Sequence, residues 1–450
     1  MSRPAAKAQS ETARQLVHMS IGALALLLRY IAWWHAVVLA SGALLFNIFV
    51  LPRVAPILYR PGDHARTLHG IVYYPAAVLL LLLAFPRRPD IVAAAWGILA
   101  AGDGIATLAG RAIGGPRWPW NRDKTVRGTL AFALFGSAAG VLLAWWCRPA
   151  ALPPPSPLFA LVAPVVAAVV ASLVETMPVR LDDNLSVAAT AGGVMALGAV
   201  VELARVPEAA AVLMSRLPAA LAWNVLIASA GYVARTVTVG GALTGALIGV
   251  TIYASSGWQG WVLLLVTFAA ATAASRMGLT RKVVLGIAEE RGGRRGPGNA
   301  IANTGVAAMA ATLVIAGSSE DLARLAFVTA LVAGGSDTIA SEIGKAFGRH
   351  TLSITSLRRV PPGTSGAMSL EGTAAGIAGA LALGAIAAWL AIVPGDALML
   401  IVAAATAGSL IESWLGATLE APGILNNDML NFINTGSAAL IAVALAAWML

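Results

Sequence analysis

Long apolar runs alternate with short polar stretches along the whole chain. Runs over 16–28, 31–51, 68–85, 91–114, 128–146, 158–176 and 187–204 fill a first half. Runs over 217–234, 241–255, 258–274, 300–315, 322–347, 372–393, 397–417 and 430–450 fill a second. About 20 apolar residues cross a hydrocarbon core, and only helices satisfy their own backbone there. The pattern therefore predicts an all-α polytopic integral membrane protein with about fifteen transmembrane helices. Pro153-Pro154-Pro155 breaks the chain after the fifth run, and the polar stretch 205–216 separates the halves. The organisation read from this is a cytoplasmic tail (1–15), a first membrane domain (16–204), a linker (205–217) and a second membrane domain (218–450).

One stretch occurs twice. Gly102-Asp103-Gly104-Ile105-Ala106-Thr107-Leu108-Ala109-Gly110-Arg111-Ala112-Ile113-Gly114 aligns with Ser336-Asp337-Thr338-Ile339-Ala340-Ser341-Glu342-Ile343-Gly344-Lys345-Ala346-Phe347-Gly348. Asp, Ile, Ala, Gly, Ala and Gly stay in register, and Arg111 faces Lys345. Small residues recur every fourth position, which lets another helix backbone approach closely. Each Asp precedes the basic residue by eight positions, about 12 Å of helix rise. A carboxylate that deep in a membrane helix is costly, so it marks a functional site or a structural pairing with a neighbouring helix. Its recurrence in register favours function.

The parallel extends further. Lys124-Thr125-Val126-Arg127-Gly128-Thr129 follows the first copy. Pro362-Gly363-Thr364-Ser365-Gly366 and Glu371-Gly372-Thr373 follow the second. Ser172-Leu173-Val174-Glu175 then parallels Ser409-Leu410-Ile411-Glu412, and Asp182-Asp183-Asn184 parallels Asn426-Asn427-Asp428 with Asn431.

Composition narrows the class. Of 450 residues, 58% are hydrophobic and 11% charged, with a mean hydropathy of +0.80. The net charge of +9 sits in short loops, the positive-inside pattern of a chain in a lipid bilayer, and no nucleic-acid partner is expected. That asymmetry places the N-terminus and both Asp-bearing helix ends at the cytoplasmic face, which makes the repeat parallel. One cysteine precludes an internal disulfide, and five scattered histidines give no metal cluster.

Carboxylates and carboxamides without His or Cys suit a hard cation such as Mg²⁺, which binds through one or two carboxylates plus substrate phosphates. Asp103, Glu175, Asp182 and Asp183 are the expected ligands in the first half, and Asp337, Glu412 and Asp428 in the second. A Gly/Thr turn at a helix start offers N–H groups to a phosphate; Thr125, Gly128 and Thr129, and Gly363, Thr364, Ser365 and Gly366, are the candidates. Lys124, Arg127, Arg358 and Arg359 can neutralise phosphoryl oxygens. Phosphoryl transfer needs little beyond such positioning and charge neutralisation. Each piece alone has a plainer reading: Lys124 as a membrane-face base, 363–366 as an ordinary turn, His18 as an interfacial residue.

These residues resemble known families. The first half is similar to the phytol kinase and dolichol kinase family of membrane lipid kinases in Arg14-Gln15-Leu16-Val17-His18, the Asp103 stretch, Lys124-Thr125 with Gly128-Thr129, and Glu175 with Asp182-Asp183-Asn184. The second half resembles a phytyl-phosphate kinase family in Gly298-Asn299 with Asn303, Asp337 to Gly344, Pro362 to Gly366, Ser409 with Glu412, and Asn427-Asp428 with Asn431. His18, Arg111, Asn184, Asn299, Asn303, Glu342, Lys345, Asn427 and Asn431 are carried as further site positions. The resemblance implies CTP-dependent, Mg²⁺-assisted phosphorylation of a prenyl alcohol, then of the prenyl phosphate, with Asp103, Lys124 and Asp337 catalytic. CTP or another nucleoside triphosphate would be the co-substrate.

Gln15 stands where the first family usually has Lys, and Ser336 where the first copy has Gly102. The absence of a transit peptide, with the Ala/Gly/Arg-rich composition, points to a bacterial inner membrane. Two rivals stay open. A cytidylyltransferase forming a CDP-lipid shares the Lys-Thr-x-x-Gly turn, but its later Lys-Asp or Gly-Gly-x-x-Asp-Arg signature is missing here. A transporter would explain the duplication, but not polar sets confined to one face.

Overall fold

Small residues at four-residue spacing let two helices sink into the centres of their bundles. A computed structural model describes residues 15–54, 70–177, 182–287, 294–420 and 423–449. The expected tail 1–15 lies outside these residues except for Gln15. The chain divides into two units, Met1–Val200 and Val201–Leu450.

The first unit contains α1 (Gln15–Arg29), α2 (Trp33–Phe49), α3 (Gly70–Ala84), α4 (Pro89–Ala112), α5 (Val126–Cys147), α6 (Pro157–Glu175) and α7 (Asp183–Ala199). The second contains α8 (Val206–Val233), α9 (Val239–Arg276), the short α10 (Leu279–Val284), α11 (Pro297–Ala316) and α12 (Glu320–Phe347). A hairpin of β1 (Thr351–Ser353) and β2 (Ala367–Ser369) follows, with Thr351 opposite Ser369. The unit ends with α13 (Leu370–Trp389), α14 (Leu398–Leu415) and α15 (Asn427–Met449).

Ten helices among the described residues are long and apolar enough to cross a membrane, fewer than the fifteen expected. The early runs are short of a full span as helices: α1, α2 and α3 fall among the shorter apolar helices of 10–17 residues, and α7 has 17 residues. The runs 241–255 and 258–274 lie within one continuous helical assignment, α9, interrupted at Gly257 with φ 75°. Gly241 and Ala271 nevertheless line one cavity. They would be about 45 Å apart along a straight helix, so α9 folds back on itself at Gly257 as two arms. A positive φ with an extended ψ is a backbone state open to glycine. The linker expected at 205–217 is instead mostly helical: Pro207 near the N-terminus and Glu208 in the first turn start α8.

The two Asp-bearing helices are the buried ones. In both α4 and α12, 72% of the most apolar stretch is buried, against 11–39% in the other eight candidate spans. Glycines explain the approach. A Cβ on Gly102 would lie 2.7 Å from the Phe132 ring. One on Gly335 would meet Thr267 at 2.6 Å and Leu383 at 2.8 Å. Apolar cores form around each, through Ile91, Leu99, Phe132 and Met195 in the first unit and Phe327, Leu331, Leu263 and Ile401 in the second. In lipid, such close van der Waals packing is what holds helices together.

Candidate active site

In the first unit, α4 changes to a π-helical turn over Ile98–Asp103. The extra residue rotates everything beyond it by roughly 100° relative to a regular helix, and such turns gather at functional sites. Asp103 ends this turn. Beside it lie Glu175, the last residue of α6, and Asp183, the first of α7. One oxygen from each of Asp103, Glu175 and Asp183 lies within 4.8 Å of the others. Among the described residues this is the carboxylate group able to hold a metal ion. Glu175 is buried and Asp183 is 42% exposed, so the cluster opens on one side.

Lys124 reaches into the cluster from the loop before α5. Its Nζ donates to Glu175 Oε1, and to Asp183 Oδ2 at 2.7 Å. Burial alone would lower its pKa, but the two carboxylates outweigh that and hold it above the ordinary lysine range. Lys124 therefore remains cationic at neutral pH. His18 Nε2 on α1 stands 3.9 Å from Asp103 Oδ2. Tyr74 fixes that histidine: their rings meet edge-on at 4.4 Å, and Trp96 Nε1 donates to the Tyr74 hydroxyl at 2.7 Å.

The remaining first-half candidates hold the frame. Asp182 caps α7, accepting from the Asn184 backbone N–H at 3.0 Å and its Nδ2 at 2.7 Å. Thr125 caps α5, its Oγ1 accepting from the Gly128 N–H at 3.1 Å. That N–H, expected to be open to a phosphate, is thus engaged. Gly128 marks a helix crossing, where an added Cβ would be 3.0 Å from the Ala106 carbonyl. Thr129 accepts from Trp118 Nε1 at 3.0 Å. Arg127 is exposed and donates to Ile113 O at 3.1 Å, closing the end of α4. Arg111 is exposed on the last turn of α4.

In the second unit one polar cavity gathers most of the second-half candidates. Asn299, Asp337, Glu342, Lys345, Glu412, Asn427 and Asn431 line it, with the loop Gly363-Thr364-Ser365-Gly366. Ser409 Oγ donates to Asp337 Oδ1 at 2.7 Å, and Glu412 lines the same cavity as Asp337.

The glycine loop does not open a helix as expected. Helix α13 starts later, capped by Ser369, whose Oγ accepts from the Gly372 N–H at 3.0 Å. The loop instead folds over the end of α14, where Gly416–Glu420 make a second π-helical turn. Gly366 has φ +69°, and an added Cβ there would be 2.4 Å from Ser413 O and Ala417 N. Only glycine fits.

Four expected second-half residues lie outside this cavity's lining. Asp428 packs against Gly298 at the start of α11, where an added Cβ would be 2.2 Å from its Oδ2. Arg358 and Arg359 are exposed in the hairpin. Asn303 is buried and donates to Asn299 O at 3.0 Å. One important residue was not expected. Lys282, 1% exposed, donates to Glu342 Oε2 at 2.6 Å and to Ser275 O at 2.6 Å, while Lys345 donates to Glu342 Oε1 at 2.9 Å. Its only signal in the sequence is position: Val283-Val284-Leu285 beside it make the basic loop amphipathic.

The described helices and two carboxylate-lined sites define an integral membrane protein with polar chemistry at helix ends. Residues 222–439 match the family described as integral membrane protein DUF92. An uncharacterised membrane protein, sll0875, of Synechocystis is 38% identical over 204 residues, 45% of this chain and 79% of that protein. The chain belongs, through its second half, to the DUF92 integral membrane family. Protein VTE6, chloroplastic, of Arabidopsis thaliana is 36% identical over 45% of this chain and 63% of its own length. A probable phytol kinase 3, chloroplastic, of Glycine max is 30% identical over 39% of this chain and 60% of its own. The matches thus span less than two thirds of these plant relatives. No solved structure matches the chain.

Proposed function

We propose that the chain is a phosphotransferase of isoprenoid lipids, a CTP-dependent kinase that phosphorylates a prenyl alcohol in its first unit and the prenyl monophosphate in its second. The observation that carries this reading is the cluster of Asp103, Glu175 and Asp183 with Lys124 inserted into it. The names of relatives such as the probable phytol kinase support it. So do the matching helix crossings: Gly110 against Thr125 and Gly128 in one unit, Gly344 against Ser369 and Gly372 in the other. We read these as two copies of one plan, in a bacterial inner membrane with the sites facing the cytoplasm.

The donor set fits a Mg²⁺ ion: oxygens only, close together, open on one side. Asp103, Glu175 and Asp183 would hold it in the first unit, and Asp337 and Glu412 in the second. When bound it would neutralise charge on the nucleotide's phosphates. Lys124 supplies further positive charge on the same side. The alcohol oxygen bonds to the γ-phosphorus, the bond to the bridging oxygen breaks, CDP leaves and the hydroxyl proton passes to Asp103 Oδ2. A phosphate oxygen of the monophosphate has no proton to lose when fully ionised. This agrees with an Asp337 already engaged by Ser409. Carboxamides and Lys345 around the second cavity suit an acceptor that arrives with negative charge.

Incubation of membranes holding the protein with a prenol and γ-labelled CTP tests this. Label should move into lipid monophosphate, then diphosphate, by thin-layer analysis. Label reaching lipid only from the α position would mark cytidylyl transfer; unmodified lipid would remove the enzyme reading.

A further inference from the structure

We propose that the second unit carries, next to its polar cavity, a separate seat for the prenyl chain of the acceptor monophosphate. This rests on the kinase reading above. The seat is an apolar cavity formed by α8, both arms of α9, α11 and the middle of α12. Gly231, Gly245, Ile248, Leu264 and Phe268 are among its walls. Among its described lining residues none is acidic and one is cationic, Arg295, whose guanidinium lies 5.5 Å from the centre of the Phe268 ring.

Asn299 lines this cavity and also the cavity of Asp337 and Glu412. A ligand with one anionic end and an apolar body therefore has one way to lie. Its phosphate sits by Asn299 and Arg295, facing the carboxylate site, and its chain runs between the arms of α9. From Gly241 to Ile248 the first arm descends about 10 Å. Asn224 closes the deep end. Its Oδ1 accepts from Trp261 Nε1 at 3.1 Å and its Nδ2 donates to Ala220 O at 2.8 Å, so its polar atoms are turned to the protein. Thr267 and Thr304 likewise turn their hydroxyls to the backbone, donating to Leu263 O at 2.8 Å and Ala300 O at 2.6 Å, so the walls suit a branched hydrocarbon, which needs no polar partner, better than a nucleotide base.

Gly245 provides the test. It is helical, and an added Cβ there meets nothing within 4 Å. Gly245→Leu starts its side chain in open space on the cavity wall and favours helix. Gly193→Leu, at a first-unit glycine with equally open space, is the control. Full-length protein in nanodiscs is labelled with a diazirine analogue of geranylgeranyl monophosphate, and the crosslinked peptides are mapped. Wild type and Gly193→Leu should crosslink within 239–276, and unlabelled geranylgeranyl monophosphate should compete. Gly245→Leu should lose this labelling about tenfold, the effect of displacing roughly two buried methylene groups. KM for geranylgeranyl monophosphate should rise about tenfold in Gly245→Leu, while a five-carbon monophosphate changes less than about twofold.

Crosslinks elsewhere, undiminished labelling of Gly245→Leu, or competition by phospholipid but not prenyl phosphate would overturn the seat. Labelling as expected without phosphoryl transfer by wild type would keep the seat and remove the kinase reading. Transfer with unchanged chain-length dependence in Gly245→Leu would do the reverse.

Discussion

The two carboxylate sites differ in where each unit keeps its lysine. In the first, Lys124 precedes the cap Thr125 and binds Glu175 and Asp183 directly. In the second, the residue before the cap Ser369 is Met368, and Lys282 and Lys345 stand one carboxylate away, on Glu342. The crossings beneath them share a geometry: an added Cβ at Gly128 or Gly372 would press on the carbonyl of Ala106 or Ala340, at 3.0 and 2.5 Å. Backbone packing and charge placement are therefore separable. The crossing fixes where a membrane carboxylate stands, and a residue outside it sets how much positive charge faces that carboxylate.

The largest effect expected from breaking this comparison is catalytic. Asp103→Asn should lower prenol phosphorylation about 10²–10³-fold, as loss of one preorganised electrostatic group does, and leave conversion of added monophosphate intact. Asp337→Asn should make the monophosphate accumulate. Thin-layer analysis of both variants decides; loss of both steps from either change would mean one shared site.

Next is Lys282→Met. Glu342 would keep only Lys345 in a buried setting, a change that costs about 3–5 kcal/mol where one partner of a buried pair is removed. Thermal unfolding in detergent should register it, and Lys282→Met with Glu342→Gln should recover part of the loss.

Lys124→Met sharpens the contrast. Lys124 is 24% and Asp183 42% exposed, so the stability loss should be smaller than for Lys282→Met. The cation that competes with a metal is also gone. Calorimetric titration should show Mg²⁺ binding tightened about fivefold, because a unit charge at 4 Å is worth about 1 kcal/mol even in water, while phosphoryl transfer falls. Unchanged affinity would mean that Lys124 and the ion occupy separate places.

The smallest effect tests the shared crossing itself. Thr125→Ala and Ser369→Ala each remove one cap and should each cost about 1 kcal/mol in unfolding measurements. A loss in one unit alone would show that the crossings carry different loads.

Much of this site was legible in the chain. Asp103 and Asp337 announce themselves because an ionisable residue among apolar neighbours is rare in a membrane helix. Lys282 did not, because a lysine among Arg276, Arg281 and other basic residues reads as part of a solvated face. Its burial follows from α10 docking under the end of α12, where Arg281 donates to Ala346 O at 2.8 Å. Arg127 and Arg358 carried the same basic signal and lie at the surface. A one-dimensional pattern cannot separate these cases, since all three are cations in basic stretches between apolar runs.

The sequence by itself determined the all-helical membrane class, because apolar length and backbone hydrogen bonding leave no other solution in lipid. It also marked the two Asp-bearing helices, because the four-residue ladder of small residues is a local periodicity. Only the tertiary structure decided that Glu175 and Asp183, 72 and 80 residues beyond Asp103, share its space with Lys124. It alone showed that α9 doubles back at Gly257 to wall a cavity beside Asn299. Such meetings depend on how closely helices cross, and that distance is set by the shapes of both partners together.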